Sequence, residues 1–225
     1  MLKVIPIRGF GVQNYLILKE DEVILIDGGF LGGVRRIQKT LLAHGKNWRD
    51  VTKIIISHGH LDHTLNIATL QELTQAPVYA PQLDEDRILC RYQHQGPSRL
   101  CGTLEKIGAF LFRHRLPTVD HWFQNGDIIR GLEIIALPGH TEGHCGFLYR
   151  DEQLLLVNDL ACRHFDKTRE SPVIFCQNPS LARESLLKVA QMTLRGIYLN
   201  HSKADTPENN LASLIDLADH LQKRL

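Results

Sequence analysis

The 225-residue chain has no apolar segment long enough to span a membrane. Its first residues, MLKVIPIRGFG, do not form the long apolar run of a secretory signal peptide. Only five cysteines are present, an odd number without a Cys-x-x-Cys pair, which argues against a disulfide framework and against a separate zinc knuckle. These absences predict a soluble protein of the reducing cytoplasm that has no membrane partner.

An excess of charge of either sign is also missing. Lys and Arg number 26 against 25 Asp and Glu, so the net charge is +1. A nucleic-acid-binding protein usually carries a basic excess, and this chain as a whole shows none. We therefore expect a small-molecule substrate and disfavour nucleic acid as a partner, while the oligomeric state stays open.

Potential metal ligands are concentrated at one place in the sequence. Four of them fall within six positions, directly after an apolar run, in the hexapeptide His58-Gly59-His60-Leu61-Asp62-His63. Imidazoles and carboxylates are the usual donors for zinc and its neighbours in the periodic table. A solvated turn that is merely rich in histidine would rarely reach this density, so the hexapeptide predicts a metal site.

Further potential ligands recur at the carboxyl ends of predicted strands downstream. His140 follows the apolar run 132–137, Asp159 follows 154–157, and His201 follows a short strand that begins at Gly196. Loops at strand ends commonly carry function because the scaffold beneath them is rigid. Each of these residues alone is a weak signal, and their recurrence makes the pattern specific.

This ordered pattern resembles the metallo-β-lactamase-fold hydrolase superfamily, and the resemblance covers nearly the whole chain. Matched residue by residue, it implies one metal bound by His58, His60 and His140, a second bound by Asp62, His63 and His201, and Asp159 as a bridge between them. With an Asp at the bridging position, the chain resembles the glyoxalase II, lactonase, tRNA-processing nuclease and phosphodiesterase branches of the superfamily. The true β-lactamases generally lack this Asp.

The periodicity of the sequence predicts a mixed α/β protein, and the resemblance implies a four-layer αββα sandwich forming a single domain over residues 1–225. The predicted elements are hairpins at 14–27, 127–137 and 145–157, a strand at 53–57, and helices at about 32–44, 64–74, 178–194 and 206–223. The segment 82–127 is the least regular part of the chain. It is either a partly helical lid over the site or a solvated surface insertion.

The implied ligands favour hydrolysis. Two divalent metals can share a water molecule and supply hydroxide near neutral pH, with Asp62 and Asp159 orienting the water and passing on its proton. We expect two Zn²⁺ ions, with Fe or Mn as alternatives, and cleavage of a small ester, thioester or lactone by this dinuclear-metal-bound hydroxide. The alternatives are a phosphodiesterase or nuclease of the same fold, or an iron-dependent oxidoreductase similar to persulfide dioxygenases.

The sequence disfavours two further functions. Glyoxalase II itself is disfavoured, because little chain follows His201 to form the helical substrate domain that the resemblance to that enzyme would require. A regulatory protein that has lost catalysis is disfavoured as well, because every ligand position is filled.

A few other residues have two possible interpretations. Asp27 either holds a ligand imidazole in place or caps the turn at 28–29. His144 either holds a ligand imidazole in place or packs as an ordinary buried histidine. His94 and His164 are the remaining histidines with the best chance of bordering the site. The chain departs from the family pattern by having other residues where Gly is common, at Leu65, Asn158 and Asn200.

Overall fold

The computed structural model describes residues 2–94, 98–164, 167–201 and 205–223. The chain divides into two compact units. The first runs to Gln93 and includes Gly102–Phe123, and the second comprises His94–Cys101 and the chain from Gln124 onward. Each unit contains one six-stranded sheet. This mixed α/β composition agrees with the predicted fold class, and the prediction of a single domain stays a prediction.

The first sheet is antiparallel on one side and parallel on the other. Its strands lie in chain order, the first three antiparallel and the last four parallel: β1 (Lys3–Arg8), β2 (Gln13–Lys19), β3 (Glu22–Ile26), β4 (Lys53–Ile55), β5 (Val78–Pro81) and β6 (His121–Phe123). The helices in this part of the chain are α1 (Gly33–Ala43), α2 (Leu61–Thr64), α3 (Ile67–Thr74), α4 (Glu85–Ile88) and α5 (Arg99–Leu111). Because β3, β4 and β5 are parallel, the residues that follow them meet at one edge of the sheet.

The core of the first unit lies between this sheet and helices α1 and α3. Ile37 and Leu41 of α1 and Leu70 of α3 belong to the same buried cluster as Leu25 and Ile54. Residues on the opposite face of the central strands are fully buried as well. Burial on both faces explains why these strands read as continuous apolar runs, as is usual for parallel strands. Each fully buried Leu or Ile contributes roughly 1.5–3 kcal/mol.

The second sheet is formed by β7 (Ile128–Ile129), β8 (Leu132–Ala136), β9 (Cys145–Tyr149), β10 (Leu154–His164), β11 (Lys167–Glu170) and β12 (Gly196–His201). Its order is β11-β10-β9-β8-β7, and β12 pairs with β10 in parallel. Two helices, α6 (Pro179–Ala190) and α7 (Pro207–Gln222), supply the apolar residues that cover it. Both begin with Pro after a capping residue, as the sequence predicts. The Asn178 side chain accepts the Leu181 N–H, and the Thr206 hydroxyl accepts the Asn209 N–H.

The predicted hairpins and helices are confirmed, with one interruption. The helix predicted at 64–74 begins at Ile67 as α3, separated from the short helix α2. At this break the side-chain amide of Asn66 donates to the carbonyl oxygens of Gly28, Gly29 and Phe30 at 3.1, 2.8 and 2.8 Å. The sequence did not reveal the short elements β1, β6, β11 and α4, or the bounds of α5. The segment 82–127 is partly helical, and its role as a lid stays a prediction. Within the described ranges, no helix combines the length and apolarity that a membrane crossing requires.

The turn before His140 depends on a glycine. Gly139 has φ +123°, and a Cβ at this position would overlap the backbone nitrogen and Cα of Ala182 in α6. Gly126 is a matched control, since it also has a positive φ (+88°) but nothing lies within 4 Å of its Cβ position. We expect Gly139→Ala to lower the free energy of unfolding by at least about 2 kcal/mol more than Gly126→Ala. Equal urea midpoints for the two variants would contradict this.

Candidate metal centre

The hexapeptide occupies the turn between β4 and helix α2. His58 and His60 lie in the turn, while Asp62 and His63 belong to the first turn of α2. His58 Nε2 lies 3.2 Å from His60 Nδ1, and the rings of His58 and His63 are 4.2 Å apart. His63 Nε2 lies 3.6 Å from an oxygen of Asp62. The three imidazoles are buried and the Asp62 side chain is 35% exposed, so the turn gathers all four predicted ligands of this unit.

Asp27 orients two of these imidazoles. Its carboxylate is fully buried at the end of β3, accepting the Ser57 N–H at 2.7 Å, the Ser57 hydroxyl at 2.8 Å and His63 Nδ1–H at 2.8 Å. A carboxylate oxygen accepts, so His63 Nδ1 is the donor in this contact. The Ser57 hydroxyl donates to Asp27, so its oxygen accepts from His58 Nδ1 at 3.0 Å. In the neutral form of each ring, Nε2 is then the nitrogen without a proton, and this is the nitrogen that can bind metal.

The second unit brings its three predicted ligands together around one carboxylate oxygen. Asp159 Oδ2 lies 2.9 Å from His201 Nε2 and 3.5 Å from His140 Nε2. The prediction that Asp159 follows a strand is wrong, because β10 continues through Asp159 to His164. It lies where the register of β10 with β12 shifts, next to Asn158 at φ +51°. This irregularity of the strand aims the carboxylate out of the regular ladder.

His144 fixes the backbone of Asp159. Its Nδ1 lies 2.8 Å from the Leu137 carbonyl oxygen, and its Nε2 lies 3.2 Å from the Asp159 N–H. The first contact requires a proton on Nδ1, which leaves Nε2 to accept from Asp159. His144 is thus a buried histidine with both ring nitrogens hydrogen-bonded, and its ring stands edge-on to that of His140, with the centroids 5.6 Å apart. This arrangement agrees with the packed-histidine interpretation.

Two buried thiols lie near these ligands. Cys176 Sγ lies 3.8 Å from His140 Nδ1. Burial, and then the charge of Asp159, raise the pKa of Cys176 to about 12, and the same two causes raise the pKa of Cys162. Both thiols are therefore protonated near neutral pH, as is usual for buried cysteines that pack as small apolar groups. All five cysteines are free, in agreement with the prediction that the chain has no disulfide framework.

The distances within each unit fit a shared metal. Two donor atoms bound to a tetrahedral zinc at 2.0–2.1 Å are about 3.4 Å apart. The four contacts described above, two in each unit, span 2.9–3.6 Å. Neighbouring imidazole and carboxylate donors are thus separated as adjacent ligands of one ion would be. Imidazole and carboxylate suit zinc, iron and manganese alike, so the donor set does not choose among them.

The remaining candidates are distributed as follows. His94 is half-buried in the second unit, and the side chain of His164 lies outside the described residues. Leu65 adopts right-handed helical backbone at the end of α2. Asn158 takes the left-handed conformation that Asn tolerates in place of Gly, and Asn200 is fully buried.

The sequence did not single out several residues that contact ligands or their loop, among them Ser57, Cys176, and Asp84, whose side chain accepts the Gly59 N–H. Asp84 could have been found by the rule that identified the ligands, because it follows the end of β5 at the same sheet edge as the hexapeptide. Nothing in the sequence distinguishes Cys176 from an ordinary buried cysteine.

Comparison with known proteins agrees with the geometry. The sequence model of the metallo-beta-lactamase superfamily matches residues 7–199. The hydroxyacylglutathione hydrolase GloC of Haemophilus influenzae is 28% identical over 166 residues, which is 71% of each chain. The probable metallo-hydrolase YflN of Bacillus subtilis is 25% identical over 197 residues, which is 75% of this chain and 70% of that one.

Solved structures with the same fold include two at low sequence identity. The metallo-beta-lactamase family protein TTHA1429 of Thermus thermophilus superposes with a TM-score of 0.73 at 20% identity, over 99% of this chain and 80% of its own. TTHA1623, in a di-iron-bound form, gives 0.69 at 17% identity, over 94% and 98%. These likenesses establish the metallo-β-lactamase fold. Together with the match over residues 7–199, they make this chain a member of the metallo-β-lactamase superfamily and a metallo-hydrolase of that fold.

Proposed function

We propose that this protein hydrolyses a small thioester, ester or lactone with two divalent metal ions, zinc in the first instance. In the proposal the two sets of ligands act together, with His58, His60 and His140 on one ion, Asp62, His63 and His201 on the other, and Asp159 shared by both. The observation that carries the proposal is the single Asp159 oxygen that contacts both His140 and His201. That arrangement suits a carboxylate serving two ions.

Bound metals of this kind polarise a carbonyl and supply a nucleophile near neutral pH. The chain's own residues then have distinct tasks. Asp62 is partly exposed, so it is suited to accept a proton from the attacking water and release it to solvent. Asp159 is almost fully buried, and its backbone is hydrogen-bonded to His144, so it is suited to keep the two ions in a fixed arrangement.

Among the three substrate classes we place thioesters first. The support is the name of the Haemophilus influenzae relative, a hydroxyacylglutathione hydrolase, whose substrate is a thioester. The near-zero net charge supports a small substrate over a nucleic acid.

We expect the purified protein to contain two metal ions per chain and to cleave an acylglutathione thioester faster than a phosphodiester or a β-lactam. Removing the metal with a chelator should abolish the activity, and adding zinc should restore it. Metal analysis by mass spectrometry and a panel of thioester, lactone, ester, phosphodiester and β-lactam substrates check both points. Full thioesterase activity after complete metal removal would contradict the proposal.

Asp159→Ala should reduce kcat/KM by at least about 100-fold and leave less metal bound, because the buried carboxylate would serve both ions. His94→Ala is the matched comparison, since His94 belongs to the same unit and is no ligand in the proposal. It should keep wild-type metal content. Equal residual activity in the two variants, with equal metal content, would argue against a shared ligand at Asp159.

Asp27→Asn should weaken metal binding by about 10- to 100-fold. The amide keeps the shape of the carboxylate, but it has only one accepting oxygen for the three donors that Asp27 now satisfies. Asp120→Asn is the control, because Asp120 accepts a backbone N–H from β5 in the same unit. Chelator competition measures both affinities. A wild-type affinity in Asp27→Asn would refute the orienting role.

A further inference from the structure

The turn formed by residues 58–63, called the metal-binding turn below, is hydrogen-bonded to two carboxylates from the segment 82–127. Asp84 Oδ2 accepts the Gly59 N–H at 2.7 Å, and Glu105 Oε1 accepts the Leu61 N–H at 3.0 Å. The two N–H groups belong to the residues on either side of His60. Hydrogen bonds to an ionised carboxylate are about twice as strong as neutral ones. The backbone that carries His60 is thus fixed on both sides.

Burial of the Asp84 carboxylate costs free energy that apolar packing does not offset. Its side chain is fully buried in a 3₁₀ turn directly after β5, and burying a carboxylate is unfavourable unless it is hydrogen-bonded or paired. Arg87 supplies the nearby positive charge, with its Nε 4.0 Å from Asp84 Oδ1 and its guanidinium 3.7 Å above the Tyr92 ring. Asp84 is therefore both hydrogen-bonded to the turn and close to a positively charged side chain.

The approach of Arg87 also accounts for Gly59. A Cβ at this position would lie 2.5 Å from the Cβ of Arg87. Glycine therefore lets α4 come close enough for Asp84, in the preceding turn, to reach the Gly59 N–H. Two residues between ligands, which appear in the sequence as spacers, are thus contact points for the surrounding structure.

Helix α5 holds the other side of the turn in the same way. Glu105 and Gly108 lie one helical turn apart on one face of α5. Glu105 bonds the Leu61 backbone, and a Cβ on Gly108 would lie 2.9 Å from Leu61 Cδ2. The helix therefore packs directly on Leu61, which is itself buried.

We propose that Asp84 and Glu105 are positioning residues, which fix the Gly59 and Leu61 amides so that His58 and His60 are set for metal binding before the metal arrives. The inference rests on the proposed metal site. It gives the segment 82–127 a definite role, because α4 and α5 then form a clamp on the metal-binding turn. Preorganisation of this kind raises affinity by lowering the cost of ordering the ligands on binding.

The test compares cobalt(II) affinity, measured by chelator competition, in wild-type protein and in Asp84→Ala, Asp84→Asn and Glu105→Ala. Asp84→Ala should weaken binding by about 10- to 100-fold, and Glu105→Ala should weaken it less, because Glu105 is only partly buried. Asp84→Asn should recover part of the loss, since its carbonyl oxygen can still accept the Gly59 N–H. Glu72→Ala is the control, because it removes an exposed carboxylate of the same unit, paired with Arg115.

Amide hydrogen exchange of the metal-free proteins separates positioning from general destabilisation. In Asp84→Ala the Gly59 amide should exchange faster while the amides of β4 stay protected. Unchanged cobalt affinity in both Asp84→Ala and Glu105→Ala would overturn the inference. Equal losses in Asp84→Ala and Asp84→Asn, with β4 exposed in both, would overturn it too.

If Asp84→Ala fails to fold, Glu105→Ala decides, and wild-type affinity there overturns the inference. A wild-type protein that binds no cobalt would instead overturn the proposed function, and the inference with it. The two failures are therefore distinguishable.

Discussion

The first half of the site depends on one buried carboxylate. Asp27 is fully buried, has left-handed backbone (φ +63°), and accepts three hydrogen bonds that join the end of β3 to the residues after β4. A buried charge is tolerable only when it is this well satisfied. Its consequence is chemical as well as structural, because it places the protons of His63 and, through Ser57, of His58 on Nδ1. In the neutral rings Nε2 is then the nitrogen without a proton, as metal binding requires.

In the second unit the ligand carboxylate is oriented in a different way. Its central carboxylate, Asp159, lies within a strand, where a regular ladder would alternate side chains between the two faces of the sheet. A break in the register of β10 with β12, beside the left-handed Asn158, changes that direction, and the buried imidazole of His144 holds the Asp159 amide. In both units, strained or irregular backbone occurs where ligands are set, as is common at functional sites.

The candidate ligands were easier to recognise in the sequence than the residues that support them. The hexapeptide and the donors His140, Asp159 and His201 were visible because several ligand types recur after apolar strands. The strand beyond Asp159, the helix break at Asn66 and the contact of Glu105 with the turn were not visible, because each depends on partners remote in sequence. Asn66 reads as one more residue of a helix until its amide is seen bonding three carbonyls of the loop after β3. Short strands such as β6 acquire their identity only from the strands they pair with.

The central claim is that two metal ions share Asp159. Anomalous diffraction from crystals of the zinc-loaded protein, recorded on both sides of the zinc absorption edge, tests it most directly. If Asp159 is shared, two zinc peaks are expected about 3.5–4 Å apart, as in two-metal hydrolases. One should lie next to His58, His60 and His140 and the other next to Asp62, His63 and His201, and both should be within bonding distance of the Asp159 carboxylate. A zinc-loaded protein with no peak at these residues, or with a single peak that Asp159 does not contact, would contradict it.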